Sequence, residues 1–374
     1  MQYCTKYLRV PRRTMQYRSL FYYKKEPEDK RMEARNKFNL PSLGKFEPPL
    51  SDQITSKHLE NKYHLVIGIN TVARLDNQNN FEVYIKTAIK SLLRELQNFY
   101  KSNNNIAKKM MKEKRRILLF VQDNTNDKNP PFDEMEAIQD KLQGEMYDVV
   151  LFKNKQRFLD PFKDIKGHDY KAADNTLPGH RARQQNADVI SFIKHAVHFI
   201  NFDHFLFMED DFVTCGDMPY EVLRVIDELA KQDENNCGFR VSYGMNGLVF
   251  PRRDLVNFID YVSHHIDMFP IDLMIRRYLY DKDPLIGLNN EPISKYEPCR
   301  MAKRFHYTFK HVLQEHIGKT STFEERNVFN FRPAFPGCGY PMSAVWNLNE
   351  DEIFSLLYCP NWSVSPCGHL SVKF

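Results

Sequence analysis

Short runs of uninterrupted apolar residues alternate along this chain with stretches of helical periodicity. That alternation restricts the fold to an α/β sheet. Leu65-Val66-Ile67-Gly68-Ile69 is the first such run, and an unbroken apolar segment of this length suits a strand covered on both faces. Ile85, Ala88, Ile89, Leu92, Leu93, Leu96 and Phe99 follow at the three-to-four spacing of one helix face. After a charged stretch from Lys112 to Arg116, Ile117-Leu118-Leu119-Phe120-Val121 repeats the strand signal. Strand, helix, strand is a βαβ unit, whose crossover makes the strands parallel.

The pattern continues. Residues 123–180 are polar, interrupted by the short strand signal Val149-Val150-Leu151-Phe152, and segment 153–180 reads as a loop able to close over a ligand. A helix is expected from about Arg183, with Ile190, Ile193, Val197 and Ile200 on one face. His204-Phe205-Leu206-Phe207-Met208 is a third strand that runs directly into Glu209-Asp210-Asp211. Beyond it the spacing predicts a helix near Tyr220–Ala230, an extended stretch Arg240–Phe250, a helix near Asp254–His264 and another opening at about Asp272. The expected architecture is a mostly parallel central sheet with helices on both faces. Residues 1–60 read as a basic, polar leader, 61–325 as the globular α/β domain, and 326–374 as a cysteine-containing C-terminal extension.

Composition narrows the function classes. With 42% hydrophobic and 27% charged residues the chain is an ordinary globular sequence. The net charge of +5 comes largely from the leader and forms no basic stripe with interleaved aromatics, so nucleic acid is not the expected partner. No stretch of about 20 apolar residues occurs, so no transmembrane helix is expected, and the first residues carry no apolar run suited to a signal peptide. None of the seven cysteines forms a C-x-x-C pair, which disfavours a zinc ribbon. Cys338, Cys359 and Cys367 cluster near the end, where a small disulfide-tied segment is expected; with the sequon Asn361-Trp362-Ser363 they point to an oxidising compartment. The phosphate-binding G-x-x-x-x-G-K-[ST], the dinucleotide G-x-G-x-x-G and the hydrolase G-x-S-x-G are all missing.

In a parallel sheet, ligands bind at the carboxyl ends of the strands. Asn70-Thr71, Asp123 and Glu209-Asp210-Asp211 each follow a predicted strand end, so they can converge on one rim. Three adjacent carboxylates repel one another unless a cation or solvent screens them. A hard divalent cation takes such oxygen ligands and bridges phosphate oxygens; the other reading is a solvated acidic turn. His316 would suit Mn²⁺ better than Mg²⁺ as an added ligand, although with thirteen histidines present spacing does not single it out. Arg181, Arg183 and Asn186 open the helix before the acidic strand. Arg183 would serve either as a partner for a diphosphate or in a salt bridge inside the domain. Asp272 at a helix start would be either a helix cap or a general base. His264, His265 and Asp267 form a second, weaker cluster of bases.

These pieces resemble, in order, the landmarks of the N-acetylglucosaminyltransferase IV family. They are Thr71-Val72-Ala73-Arg74, Arg181-Ala182-Arg183-Gln184-Gln185-Asn186-Ala187-Asp188, Glu209-Asp210-Asp211, Pro270-Ile271-Asp272 and His316-Ile317-Gly318-Lys319-Thr320-Ser321, within residues 64–323. The resemblance implies a GT-A fold and an inverting transfer of N-acetylglucosamine from UDP-GlcNAc to a mannose of a glycoprotein N-glycan, in the Golgi lumen. It implies a divalent cation, Mn²⁺ before Mg²⁺, held by Asp211 and His316. Thr71, Arg74, Asp123, Arg181, Arg183, Asn186, Glu209 and Asp210 would contact the donor, and Asp272 would be the catalytic base. A related group with a similar acidic loop transfers N-acetylgalactosamine to GPI anchors. A nucleotidyl- or phosphoryltransferase and a catalytically silent glycan-binding relative are the rival expectations.

Overall fold

A computed structural model describes residues 61–157 except 77, 127 and 156, residues 179–280 except 243 and 267–269, and residues 299, 302, 304–309, 311–318, 337–339 and 342. The leader, most of the expected closing loop, the sequon and most of the C-terminal extension lie outside the described residues.

The first three strands are β1 (Lys62–Thr71), β2 (Arg116–Asp123) and β3 (Tyr147–Lys153). Then come β4 (Asn201–Glu209), β5 (Phe212–Thr214), β6 (Phe239–Arg240), β7 (Leu248–Pro251), β8 (Tyr307–Thr308) and β9 (Gln314–His316). The helices are α1 (Tyr84–Lys101), α2 (Asn105–Lys112), α3 (Pro130–Glu136), α4 (His180–Phe199), α5 (Met218–Gln232), α6 (Arg252–His264) and α7 (Ile271–Tyr280). A seven-stranded sheet runs in the order β3-β2-β1-β4-β7-β6-β8, and β5 and β9 form a separate two-stranded ribbon. Strands β3, β2, β1 and β4 are mutually parallel, whereas β7 is antiparallel to both β4 and β6. The fold class is therefore α/β, with a mostly parallel mixed sheet.

Alternation along the strands divides the core into two layers. Leu65, Ile67 and Ile69 of β1 pack with α1 and α5 on one face, while Tyr63 and Val66 pack with α4, α6 and α7 on the other. Each large apolar side chain fully buried this way contributes about 1.5–3 kcal/mol. Gly68 faces the second layer, and a Cβ there would lie 2.2 Å from the Phe205 ring and 2.7 Å from that of Phe192. A glycine in mid-strand is what lets those two rings meet over the sheet, 5.7 Å apart edge to face.

Several expectations change in detail. The stretch Arg240–Phe250 is not one strand: it is β6, a turn and β7, with Gly244 (φ +62) and Gly247 (φ +67) supplying the reversal. Two short helices, α2 and α3, were not legible. In α2 the Asn104 side chain caps the helix by accepting the Ala107 N–H at 2.7 Å. Of the three late cysteines only Cys338 lies within the described residues; Cys359 and Cys367 lie outside them. Cys338 joins Cys215 beside the acidic loop, and Cys237 joins Cys299, so the C-terminal extension is bonded to the sheet domain at that point. Among the described residues no helix is long and apolar enough to cross a membrane.

Buried histidines make this fold acid-sensitive. His195 is fully buried, with Nδ1 2.9 Å from Gln122 Oε1, and burial pushes its imidazole down to about 4. His306, 1% exposed, is pushed well below its ordinary value by burial and then by Arg240. The unfolded imidazoles take up protons near pH 6.5 while the folded ones do not. The stability these two histidines contribute is therefore complete above that pH and falls between it and about pH 4. Between pH 7.5 and 4.5 His195 alone is expected to cost on the order of 2–3 kcal/mol, read from urea unfolding midpoints. Burial raises the Glu209 and Asp210 carboxyls, which gain stability over the same range, so the His195 contribution is read as the difference between wild type and His195→Gln, and equal pH dependences of the two refute the account.

Candidate active site

The parallel register brings three strand ends side by side. Thr71 lies opposite Asp123, and Asn70 lies opposite Glu209. The loops behind them are stitched together: the Asn124 N–H donates to the Thr71 carbonyl at 2.9 Å, the Ala73 N–H to Thr125 Oγ1 at 2.7 Å and the Asn154 N–H to the Asp123 carbonyl at 2.8 Å. A rigid rim results, with the acidic loop at its centre.

That loop is the crossing from β4 to β5, so Asp210 and Asp211 sit where the chain leaves the main sheet for the ribbon. Both are buried, at 3% and 9% exposure. Arg74 meets them with a fork: Nη2 donates to Asp210 Oδ1 at 2.5 Å and Nη1 to Asp211 Oδ2 at 2.7 Å. Its guanidinium also lies 5.6 Å from the centre of the Tyr84 ring. The Thr71 hydroxyl donates to Asp210 Oδ2. His316, carried on β9 opposite Phe212, brings Nε2 to 3.3 Å from Asp211 Oδ2. The edge of its ring rests on Phe212, with centroids 5.0 Å apart. The Ile317 N–H donates to the Asp211 carbonyl at 2.8 Å, which ties the segment after β9 to the acidic loop.

The three carboxyls differ in charge state because their neighbours differ. Burial pushes Glu209 up to about 8, with the charges of Asp211 and then Asp272 adding to the effect. Burial raises Asp210 to about 6 against the pull of Arg74. Burial also works to raise Asp211, but Arg74 and His316 outweigh it and hold that carboxyl below the usual carboxylate range. Asp211 is thus the permanently ionised member.

The remaining expected residues fall into three places. Asp123 is fully buried at the same rim, and its Oδ1 accepts from the Thr125 N–H at 3.1 Å, the Thr125 hydroxyl at 2.6 Å and Asn129 Nδ2 at 3.0 Å. Its Oδ2 has no hydrogen-bond partner, and burial raises its pKa. Asp272 is exposed in the first turn of α7, one residue inside the helix rather than at its cap, and its charge reaches Glu209. The helix-opening trio is spread around α4. Arg181 is exposed and Arg183 is 3% exposed, while the buried Asn186 donates through Nδ2 to the Ile266 carbonyl at 2.8 Å. The arginine that meets the acidic loop is therefore Arg74, not Arg183. The inward face of the same motif holds Arg157: Asp188 accepts its Nε at 2.9 Å and Nη2 at 2.6 Å, and Gln184 steadies Asp188 at 3.0 Å. In the second cluster, His265 is buried and its Nδ1 lies 2.6 Å from the Tyr261 carbonyl; Asp267 is outside the described residues.

No protein-family model matches this chain, and no curated protein matches it.

The residues present fit a divalent cation on two observations. Asp211 Oδ1 is buried with no hydrogen-bond partner. A Cβ placed on Gly318 would lie 2.5 Å from Asp211 Oδ2 and 2.9 Å from His316 Nε2, so the missing side chain leaves open the space that both ligand atoms face. Among the described residues no group of three or more His, Cys, Asp or Glu side chains forms a cage. The protein thus offers a carboxylate and an imidazole, and substrate oxygens and water would complete the shell, the usual arrangement for Mg²⁺-like ions at phosphates. Two further residues of this site escaped notice in the sequence. Asn246 donates through Nδ2 to Glu209 Oε2, and its glycine-flanked setting, Gly244-Met245-Asn246-Gly247, was the available signal. Tyr84, at the start of α1, had none.

Proposed function

We propose that this protein is an inverting, divalent-cation-dependent glycosyltransferase of GT-A type that moves N-acetylglucosamine from UDP-GlcNAc to a mannose of an N-glycan. One observation carries the reading. Residues 71, 74, 210, 211 and 316, distant in the chain, meet at the carboxyl rim of a parallel sheet around an ionised carboxylate, and Asp272 lies within electrostatic reach. The order of these residues in the chain, noted above as a family resemblance, supports the choice of sugar. Two disulfides among the described residues suit an oxidising compartment such as the Golgi lumen.

In this reading Asp211 and His316 would hold the cation, Mn²⁺ before Mg²⁺. Bound there, it would neutralise the charge that develops on the departing diphosphate. Arg74 holds Asp210 and Asp211 in place and is the nearest positive charge to share with a donor phosphate. Thr71 fixes Asp210, and Asp123 and Arg157 line the adjoining rim, where the nucleoside would lie. Asp272, exposed in the first turn of α7, would take the proton of the acceptor hydroxyl, which then attacks the anomeric carbon from the side opposite the leaving diphosphate and inverts it.

Incubation with Mn²⁺ and a panel of UDP-sugars tests this directly. UDP release is expected with UDP-GlcNAc and not without the cation. Preference for UDP-GalNAc would move the assignment to the GPI-type transfer. Diphosphate released from nucleoside triphosphates, with every UDP-sugar left intact, would replace it with a nucleotidyltransferase.

A further inference from the structure

Asn246 lies in the turn between β6 and β7 and is 1% exposed. Its amide makes two bonds to a single residue. Oδ1 accepts the Glu209 N–H at 2.6 Å, and Nδ2 donates to Glu209 Oε2. A backbone N–H can only donate, so the orientation of the amide is decided: its oxygen must face the main chain and its nitrogen the carboxyl. One carboxyl oxygen of Glu209 is then occupied, while Oε1 carries no hydrogen bond among the described residues and is the oxygen left to meet a ligand, as an acceptor when the carboxyl is ionised beside a bound cation.

The turn itself is held firmly. The Val241 N–H donates to the Gly247 carbonyl at 2.8 Å and the Gly247 N–H to the Phe207 carbonyl at 2.9 Å. A Cβ on Gly247 would lie 2.6 Å from the Ser242 nitrogen, and one on Gly244 would lie 4.0 Å from Asp272 Oδ1. The crest of the turn therefore lies between Glu209 and the exposed acid of α7, on the side of the acidic loop away from Asp123 and Arg157. If the nucleoside takes that far side, the sugar ring faces the turn.

We propose that Asn246 is a positioning residue that presents Glu209 Oε1 as an acceptor for a hydroxyl of the donor sugar, so that the β6–β7 turn selects the sugar while the rest of the rim binds the nucleotide. The proposal deepens the functional reading above and rests on it.

The test compares the affinities of UDP and UDP-GlcNAc, by calorimetry in Mn²⁺, for wild type and three variants. Asn246→Asp sets two carboxyls against each other. Glu209→Gln makes the glutamine turn its oxygen to Asn246 and its nitrogen, a donor, to the sugar. Each single change is expected to weaken UDP-GlcNAc about tenfold or more and to leave UDP within about twofold. The double change Asn246→Asp with Glu209→Gln restores the bond with donor and acceptor exchanged and keeps an oxygen towards the sugar, so UDP-GlcNAc affinity should recover to within about threefold of wild type. Equal loss of both ligands in the single variants, or no recovery in the double, overturns the proposal. Failure of the wild type to bind UDP at all overturns the functional reading beneath it.

Discussion

If the proposed sugar transfer is the activity, replacing Asp211 by alanine is expected to abolish it, by at least about a thousandfold, because a cation held there to stabilise a leaving diphosphate would be worth several kcal/mol. Asp211 is the acidic-loop member whose surroundings keep it ionised, with Arg74 Nη1 at 2.7 Å and His316 Nε2 at 3.3 Å. The isosteric Asp211→Asn separates chemistry from folding. It keeps the volume and a carbonyl oxygen for Arg74 but gives up the buried ion pair, so the protein should still unfold cooperatively at a lowered thermal midpoint, while Mn²⁺ binding followed by electron paramagnetic resonance is lost. An Asp211→Ala protein that still releases UDP from UDP-GlcNAc at the wild-type rate refutes the site assignment.

The second large effect is expected from a single methyl group. Gly318→Ala would place Cβ 2.5 Å from Asp211 Oδ2, 2.9 Å from His316 Nε2 and 3.1 Å from Asp211 Cβ. Gly318 does not occupy the left-handed region, where a side chain would be strained by the backbone alone, whereas Gly238, Gly244, Gly247 and Gly339 do. The effect is therefore steric and local: either the carboxylate or the imidazole must give way. Mn²⁺ affinity should fall about a hundredfold, in the upper range for disturbing the support of a metal ligand, with UDP release falling alongside. Wild-type Mn²⁺ binding in Gly318→Ala would show that the space between Asp211 and His316 is not where the cation lies.

Much of the framework was legible before any coordinates. The apolar run 65–69 became β1, run 117–121 became β2 and run 204–208 became β4, each extended by one to three residues at its ends. Buried parallel strands carry their signal in the unbroken apolar run, and a strand's end follows wherever that run stops. The strand-end positions of Thr71, Asp123 and Glu209 followed from the same signal. The antiparallel β7 did not, because four residues are too few to show a direction and the tight turn before it resembled an extended stretch. Helix α3 was hidden inside a polar segment whose Pro130-Pro131 suggested a loop, although proline is at home in a first helical turn.

Local periodicity determined the α/β class, the rim and the candidate carboxylates, since each depends on residues within one turn or one strand of each other. Tertiary structure alone decided that Arg74 meets the acidic loop; it also sets beside Asp211 the His316 that only the family resemblance had singled out, brings Cys338 back to Cys215, and clamps Glu209 with Asn246. These are contacts across 137, 105, 123 and 37 residues of chain. Such pairings are set by how sheets and helices stack, and the pattern of neighbours along a chain carries no record of that stacking.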